Sequence, residues 1–136
     1  MRWPLWLTRV DAGSMEPTLH DGQRVWTRML GPRTRIRRGD LVVFDSPEVG
    51  RRVLKRVIGL PGEQVELRGG EVLIDGTALE EPYATPSYYR GRFEVPAEHY
   101  LLFGDHRDAS TDSRSWSQPY IHRTQLIGRL LSPARR

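Results

Sequence analysis

The chain has 136 residues, no cysteine, a formal net charge of +4, and is 38% hydrophobic and 28% charged. That length suits one domain able to bury a core without covalent staples, and the lack of cysteine excludes disulfides and thiolate metal sites. The composition excludes wholesale disorder, and no run approaches the about 20 apolar residues that a membrane-crossing helix needs.

Along the chain, "WPLWL" at 3–7 places two tryptophans and two leucines in five residues before Arg9 and Asp11 end the run. Tryptophan favours the headgroup region of a bilayer. Residues 1–11 therefore read as a short aromatic segment that either contacts a membrane interface or packs on the domain. "DAGSMEPTLHDG" at 11–22 follows. Gly13 leaves the backbone free to bend and Pro17 stops a helix from forming. A turn of this kind presents the Ser14 hydroxyl and a backbone N–H to one point, the parts of a nucleophile and an oxyanion donor. "RVWTRM" at 24–29 alternates as a strand. "RTRIRR" at 33–38 is a dense basic cluster. "DLVVFD" at 40–45 is the continuous apolar run of a strand buried on both faces.

"RRVLKRVIGL" at 51–60 alternates and ends at "PGE". "EQVEL" and "EVLID" flank "RGG", a hairpin signal with glycine at the turn. Pro82, Pro86 and the tyrosines around them indicate an irregular loop, and Pro96 marks the start of the next strand. "HYLLFGD" at 99–105 is a second buried run, "QLIGRLL" at 125–131 a closing strand or short helix, and 132–136 a basic tail. Short strands at close spacing predict a mostly β fold, a compact antiparallel barrel or sandwich.

Lys55 is the only lysine in the chain; every other one of its 21 basic residues is arginine. On a strand it shares a face with Val53 and Val57, while Arg56 shares the other with Leu54 and Ile58. Burial beside valines disfavours the charged amine and lowers its pKa. A neutral amine is a general base, a role closed to arginine. "FGDHRDASTDSRSW" at 103–116 alternates acid and base directly after a buried run. Charges so near a core need partners. Asp105, Arg107, Asp112 and Arg114 can supply one another, Arg56 can join from the lysine strand, and Ser110 or Ser113 can orient the amine.

Four stretches, in order, resemble the type I signal peptidases, serine–lysine endopeptidases that remove leader peptides: "SMEPTL" at 14–19, "GDLVVF" at 39–44, "KRVIGLPGE" at 55–63 and "GDHRDASTDSR" at 104–114. The resemblance covers roughly residues 12–131 and implies that this span is the catalytic domain, with the small extra β domain of larger members absent. It implies Ser14 as nucleophile, Lys55 as general base and Ser110 as the residue that orients the amine. Arg56 with Asp105, and Asp112 with Arg114, would be supporting ion pairs, and the Ser14 N–H an oxyanion donor. The implied cleavage follows small residues at Ala-x-Ala sites. The implied partner is an exported precursor carrying a leader, met on the extracytoplasmic side of a membrane by a monomer.

The sequence departs from the family pattern in three ways. Ala12 stands where some members place a serine that serves as a second oxyanion donor. His106 stands where asparagine is usual. Family members carry a membrane anchor ahead of the serine, and only 13 residues precede Ser14. A compact form held by "WPLWL", a soluble maturation protease for one dedicated partner, and a piece of a longer anchored chain all remain open. A LexA-type self-cleaving domain shares the dyad but lacks the fourth stretch. A basic β-barrel binding nucleic acid or anionic lipid would use Arg33–Arg38 and the aromatic side chains of Tyr83, Tyr88 and Tyr89. It leaves the lone lysine unexplained, so no nucleic-acid partner is expected. His20, His99, His106 and His122 show no ligand-like spacing, so no metal or cofactor is expected.

Overall fold

The apolar–polar alternation of the chain fixes which side chains face inward, and the strands follow it. The computed structural model describes residues 4–47 and 49–131. The 132–136 tail and Trp3 lie outside the described residues. Strand β2 (Arg24–Met29) buries Val25 and Thr27 and exposes the residues between them, as its alternation predicts. Strand β3 (Leu41–Ser46) is the doubly buried run. Val42 and Phe44 enter a core cluster with Val57, Leu102 and Trp116, while Leu41 and Val43 enter another with Val10, Met15 and Leu19. Strand β4 (Arg51–Gly59) pairs antiparallel with β3, setting Lys55 opposite Val42 and Arg56 opposite Leu41.

Strands β5 (Gln64–Arg68) and β6 (Glu71–Ile74) form the expected hairpin. Its two loop residues, Gly69 and Gly70, both have positive φ (58° and 85°), the backbone that a tight two-residue hairpin requires. Strand β9 (His99–Phe103) is the second buried run, and β11 (Leu126–Leu130) resolves the closing segment as a strand.

Four strands lie outside the predicted set: β1 (Leu5–Arg9), β7 (Thr77–Ala78), β8 (Gly91–Glu94) and β10 (Tyr120–His122). Each is short and pairs along the sheet, so its signal comes from the neighbour and not from its own pattern. The aromatic segment is the clearest case. Leu5–Arg9 runs antiparallel to β2, with Leu7 opposite Trp26.

The strands build two sheets. The larger has the order β1-β2-β11-β3-β4-β9-β10 and the smaller β7-β6-β5-β8. Neither closes on itself, so of barrel and sandwich the chain adopts the sandwich-like arrangement. Ile58, Leu101 and Phe103 of the large sheet pack with Val65, Leu67 and Val72 of the small one. Gly59 marks this junction, beside a register shift between β4 and β9. A Cβ there would approach Leu101, Val65 and Val95 side chains at 3.0 Å each. The neighbours come from β9, from β5 and from the residue after β8, and cannot retreat together. Gly59→Ala is therefore expected to lower unfolding stability by about 1–3 kcal/mol, read from the urea midpoint; an unchanged midpoint would mean that the junction is not close-packed.

Candidate active site

Three segments converge at one end of the large sheet. The first is the turn after β1. Met15 and Leu19 are buried in the core at 1% and 0% exposure and are linked by a Leu19 N–H to Met15 carbonyl bond of 2.9 Å. Ala12 has φ 66° and donates its N–H to Asp21 Oδ1 at 2.7 Å, which holds the entry to the turn. Ser14, anchored from both sides, is half-buried at the cleft wall. Its own N–H donates to no acceptor among the described residues.

The second segment is β4. Lys55 is 3% exposed, and its Nζ donates to Ser110 Oγ at 3.0 Å. Burial lowers its pKa from 10.5 to about 8. The Asp112 and Asp105 carboxylates oppose that fall, and the Arg114 and Arg51 charges add to it.

The third segment follows β9. Asp112 is fully buried and accepts from Gly104 N–H at 2.8 Å, Ser110 Oγ at 2.9 Å, and the backbone N–H, Nε and Nη2 of Arg114. Of the two serines expected as candidates, only Ser110 reaches the amine. Ser113 Oγ instead accepts the Leu102 N–H at 2.9 Å. The peptide N–H of His106 donates to the Ser14 carbonyl at 2.9 Å, and its ring Nδ1 lies 3.3 Å from the Gly13 carbonyl. That side chain is therefore half-buried against the serine turn. Gly104 is where the segments touch: a Cβ there would fall 2.1 Å from Ser110 Oγ and 2.7 Å from the Ser14 carbonyl.

Arg56 and Asp105 form a buried bidentate pair at 2.8 and 2.6 Å. Three of its partners were not singled out as site residues, although Thr18 lies within the "SMEPTL" stretch. Thr18 donates to Asp105 Oδ2, tying the serine turn to the pair. Thr85 donates its N–H to the Asp105 carbonyl at 2.9 Å. Tyr83 lays its ring 3.8 Å over the Arg56 guanidinium. Tyr83, one of the three tyrosines that a nucleic-acid- or lipid-binding barrel would present to its ligand, is half-buried, and burial raises its phenol pKa. Behind them Arg107 pairs with Glu81 at 2.7 Å and donates to the Gly104 carbonyl. Glu81 lies in the irregular loop and has no motif to announce it.

Ser14 and Lys55 line one cleft of about 570 Å³, with Met15, Val43, Leu54 and Thr111. No hydrogen bond joins Ser14 Oγ to Lys55 Nζ among the described residues. The structure thus brings together the seven residues to which the resemblance assigns a part: Ser14, Lys55, Ser110, Arg56, Asp105, Asp112 and Arg114. The lone lysine permits a direct check of its environment. With ¹⁵N-lysine labelling, the single side-chain resonance should titrate with a midpoint near 8, and Arg51→Gln should move it upward. A midpoint near 10.5 would contradict the desolvated amine.

Residues 5–134 match the family model described as "Signal peptidase, peptidase S26". The chain is 40% identical over 131 residues to signal peptidase I of Leptolyngbya laminosa, covering 88% of this chain and 64% of that protein. It is 34% identical over 122 residues to signal peptidase I of Bacillus licheniformis, covering 78% and 64%. It therefore spans less than two thirds of either relative. The crystal structure of a signal peptidase I from Enterococcus faecalis superposes with a TM-score of 0.62 at 32% identity, over 73% of this chain and 98% of that one.

Proposed function

The chain belongs to the signal peptidase, peptidase S26, family, and on that premise we propose that it is a serine endopeptidase using a Ser14–Lys55 dyad. Its substrates are exported precursors, cut after the small residues of an Ala-x-Ala site. The observation that carries this reading is the Lys55 amine, buried, held by Ser110 and opening on the same cleft as Ser14.

The hydrogen-bond order explains how the amine is aimed. Ser110 gives its own proton to Asp112, so its oxygen can only accept from Lys55. One amine N–H is committed there, and the lone pair of the neutral amine is left for the serine hydroxyl. Ser14 Oγ attacks the scissile carbonyl carbon while its proton passes to Lys55 Nζ. The carbonyl oxygen becomes an oxyanion, for which the uncommitted Ser14 N–H is the available donor. Lys55 then protonates the departing amine as the C–N bond breaks, leaving a Ser14 ester. Water attacks that ester, Lys55 takes the water's proton, and Ser14 regains a hydrogen as the acid leaves. Burial matters because an amine of pKa about 8 is a base near neutral pH, whereas one of 10.5 is almost wholly protonated. Activity should accordingly rise with pH through about 8.

A membrane-facing placement, on the extracytoplasmic side where leaders emerge, is supported by the outer face of β1 and β2. Leu5, Leu7 and Trp26 are about half exposed there, between Arg9, Arg24 and Arg28. An apolar centre with an arginine rim suits a headgroup layer. No helix of the described residues is long and apolar enough to cross a membrane.

The test is cleavage of a leader-bearing precursor with an Ala-x-Ala site, in detergent or lipid, with the new N-terminus identified by mass spectrometry. Wild type should cut after the second alanine, and Ser14→Ala should lose about 10³-fold or more. Undiminished cleavage by Ser14→Ala would remove the nucleophile assignment. Lys55→Arg should fold, by circular dichroism, and be inactive, because a guanidinium keeps its proton. Near wild-type turnover by that variant would remove the base.

A further inference from the structure

The two walls of the cleft differ in what their backbone and charges offer. One runs from Trp6 to Met15; the other is the first half of β4, from Arg51 to Lys55. On its far edge β4 is paired by β9 only from Arg56 onward, so the 51–55 edge carries no strand among the described residues. An extended segment can lie along it. Four basic side chains, Arg9, Arg51, Arg52 and Lys55, line the cleft against one acidic one, Asp11. Arg9 pairs loosely with Asp11 at 4.0 Å, and Arg52 with Asp45 at 3.3 Å, in both cases with side chains more than half exposed. Arg51 pairs with no carboxylate of the described residues. It lies on the same side of β4 as Lys55, and its charge is felt at the amine. Four residues of strand separate the two, about 13 Å along the chain.

Resting on the peptidase reading above, we propose that Arg51 is a specificity-determining residue at the cleft mouth, favouring precursor segments that carry a carboxylate three to five residues from the scissile bond. The spacing follows from the strand. A segment extended along β4 with its reacting carbonyl at Ser14 and Lys55 brings a side chain three to five residues away to the level of Arg51. An Asp or Glu there meets a guanidinium with no competing carboxylate of the described residues, exposed at the cleft mouth. A basic side chain at the same place meets like charge.

The experiment uses the full chain and peptides that keep Ala-x-Ala intact, with one Glu or one Gln placed at the fourth or fifth position before the bond or at the third, fourth or fifth position after it. Wild type should show a Glu-to-Gln ratio in kcat/KM of about three- to tenfold at one or more positions. That ratio should fall toward one in about 0.5 M salt. Arg51→Glu should push it below one, and Arg68→Gln, which removes the same charge from the far sheet, should keep the wild-type ratio. In parallel, the Ser14→Ala chain is titrated with the same fluorescent peptides, and affinity should follow the same order. If folded wild type cuts none of the peptides, the peptidase reading fails, and the affinity ratio alone decides the role of Arg51. A ratio of one at every position, or a ratio that Arg51→Glu leaves unchanged, overturns it.

Discussion

The Asp112 carboxylate is fully removed from water, and the site is arranged around satisfying it. Isolated, such a charge would cost several kcal/mol. Here the Arg114 guanidinium neutralises it, and the Gly104 N–H, the Arg114 N–H and the Ser110 hydroxyl fill its remaining acceptor positions. Because those donors come from the end of β9 and from the chain beyond it, the carboxylate closes the segment into a rigid loop. Ser110 is thereby fixed in both position and hydrogen-bond direction. The orientation of Lys55 follows from Ser110, and the approach of Ser14 follows from Gly104, which has no Cβ to keep the two serine-bearing segments apart. The Arg56–Asp105 pair serves the neighbouring joint, where Thr18 ties in the serine turn and Tyr83 covers the guanidinium.

This arrangement opposes folding at one point. A lysine whose pKa falls from 10.5 to about 8 on folding carries a cost of roughly 3 kcal/mol while both states are protonated. The sign is set by the direction of the fall. Below pH 8 the cost is present in full. Between about 8 and 10.5 the folded chain holds fewer protons than the unfolded one, so stability rises with pH and the cost disappears. A methionine would pack there without that cost but could accept no proton. On the proposed mechanism the site keeps a destabilising group for its chemistry, and the two closed ion pairs hold the geometry against it.

The large sheet gives the site its two environments. Its middle strands are buried on both faces, which dries the root of Lys55. Its β1–β2 edge exposes leucine, tryptophan and arginine, and that edge runs into one wall of the cleft. Ser14 lies at the boundary between them, reached by β1 before the chain turns back toward β2. A desolvated amine and an open cleft thus lie side by side.

Much of this was legible in the residues because it is local. Alternation placed β2 and β4, and a continuous apolar run placed β3, each to within a residue at its ends; alternation also set Lys55 and Arg56 on opposite faces, and the paired glycines marked the β5–β6 turn. The lone lysine, the serine turn and the acid–base stretch pointed to residues that the fold gathers around one cleft. Three matters needed the tertiary structure. The period of a strand says which face a side chain takes but not which strand lies beside it, so β11 entering between β2 and β3, and β1 completing the edge, could not be read. The residues alone left Ser110 and Ser113 as equals and the resemblance favoured Ser110; the fold gives the physical reason, since Ser110 Oγ meets the amine while Ser113 Oγ accepts the Leu102 N–H. Glu81, Tyr83 and Thr85 come from a loop without pattern, and they join the ion pairs only because the fold carries them to charges that would otherwise be buried with fewer partners; Thr18 lies within a recognisable stretch, but nothing in it announces the bond to Asp105.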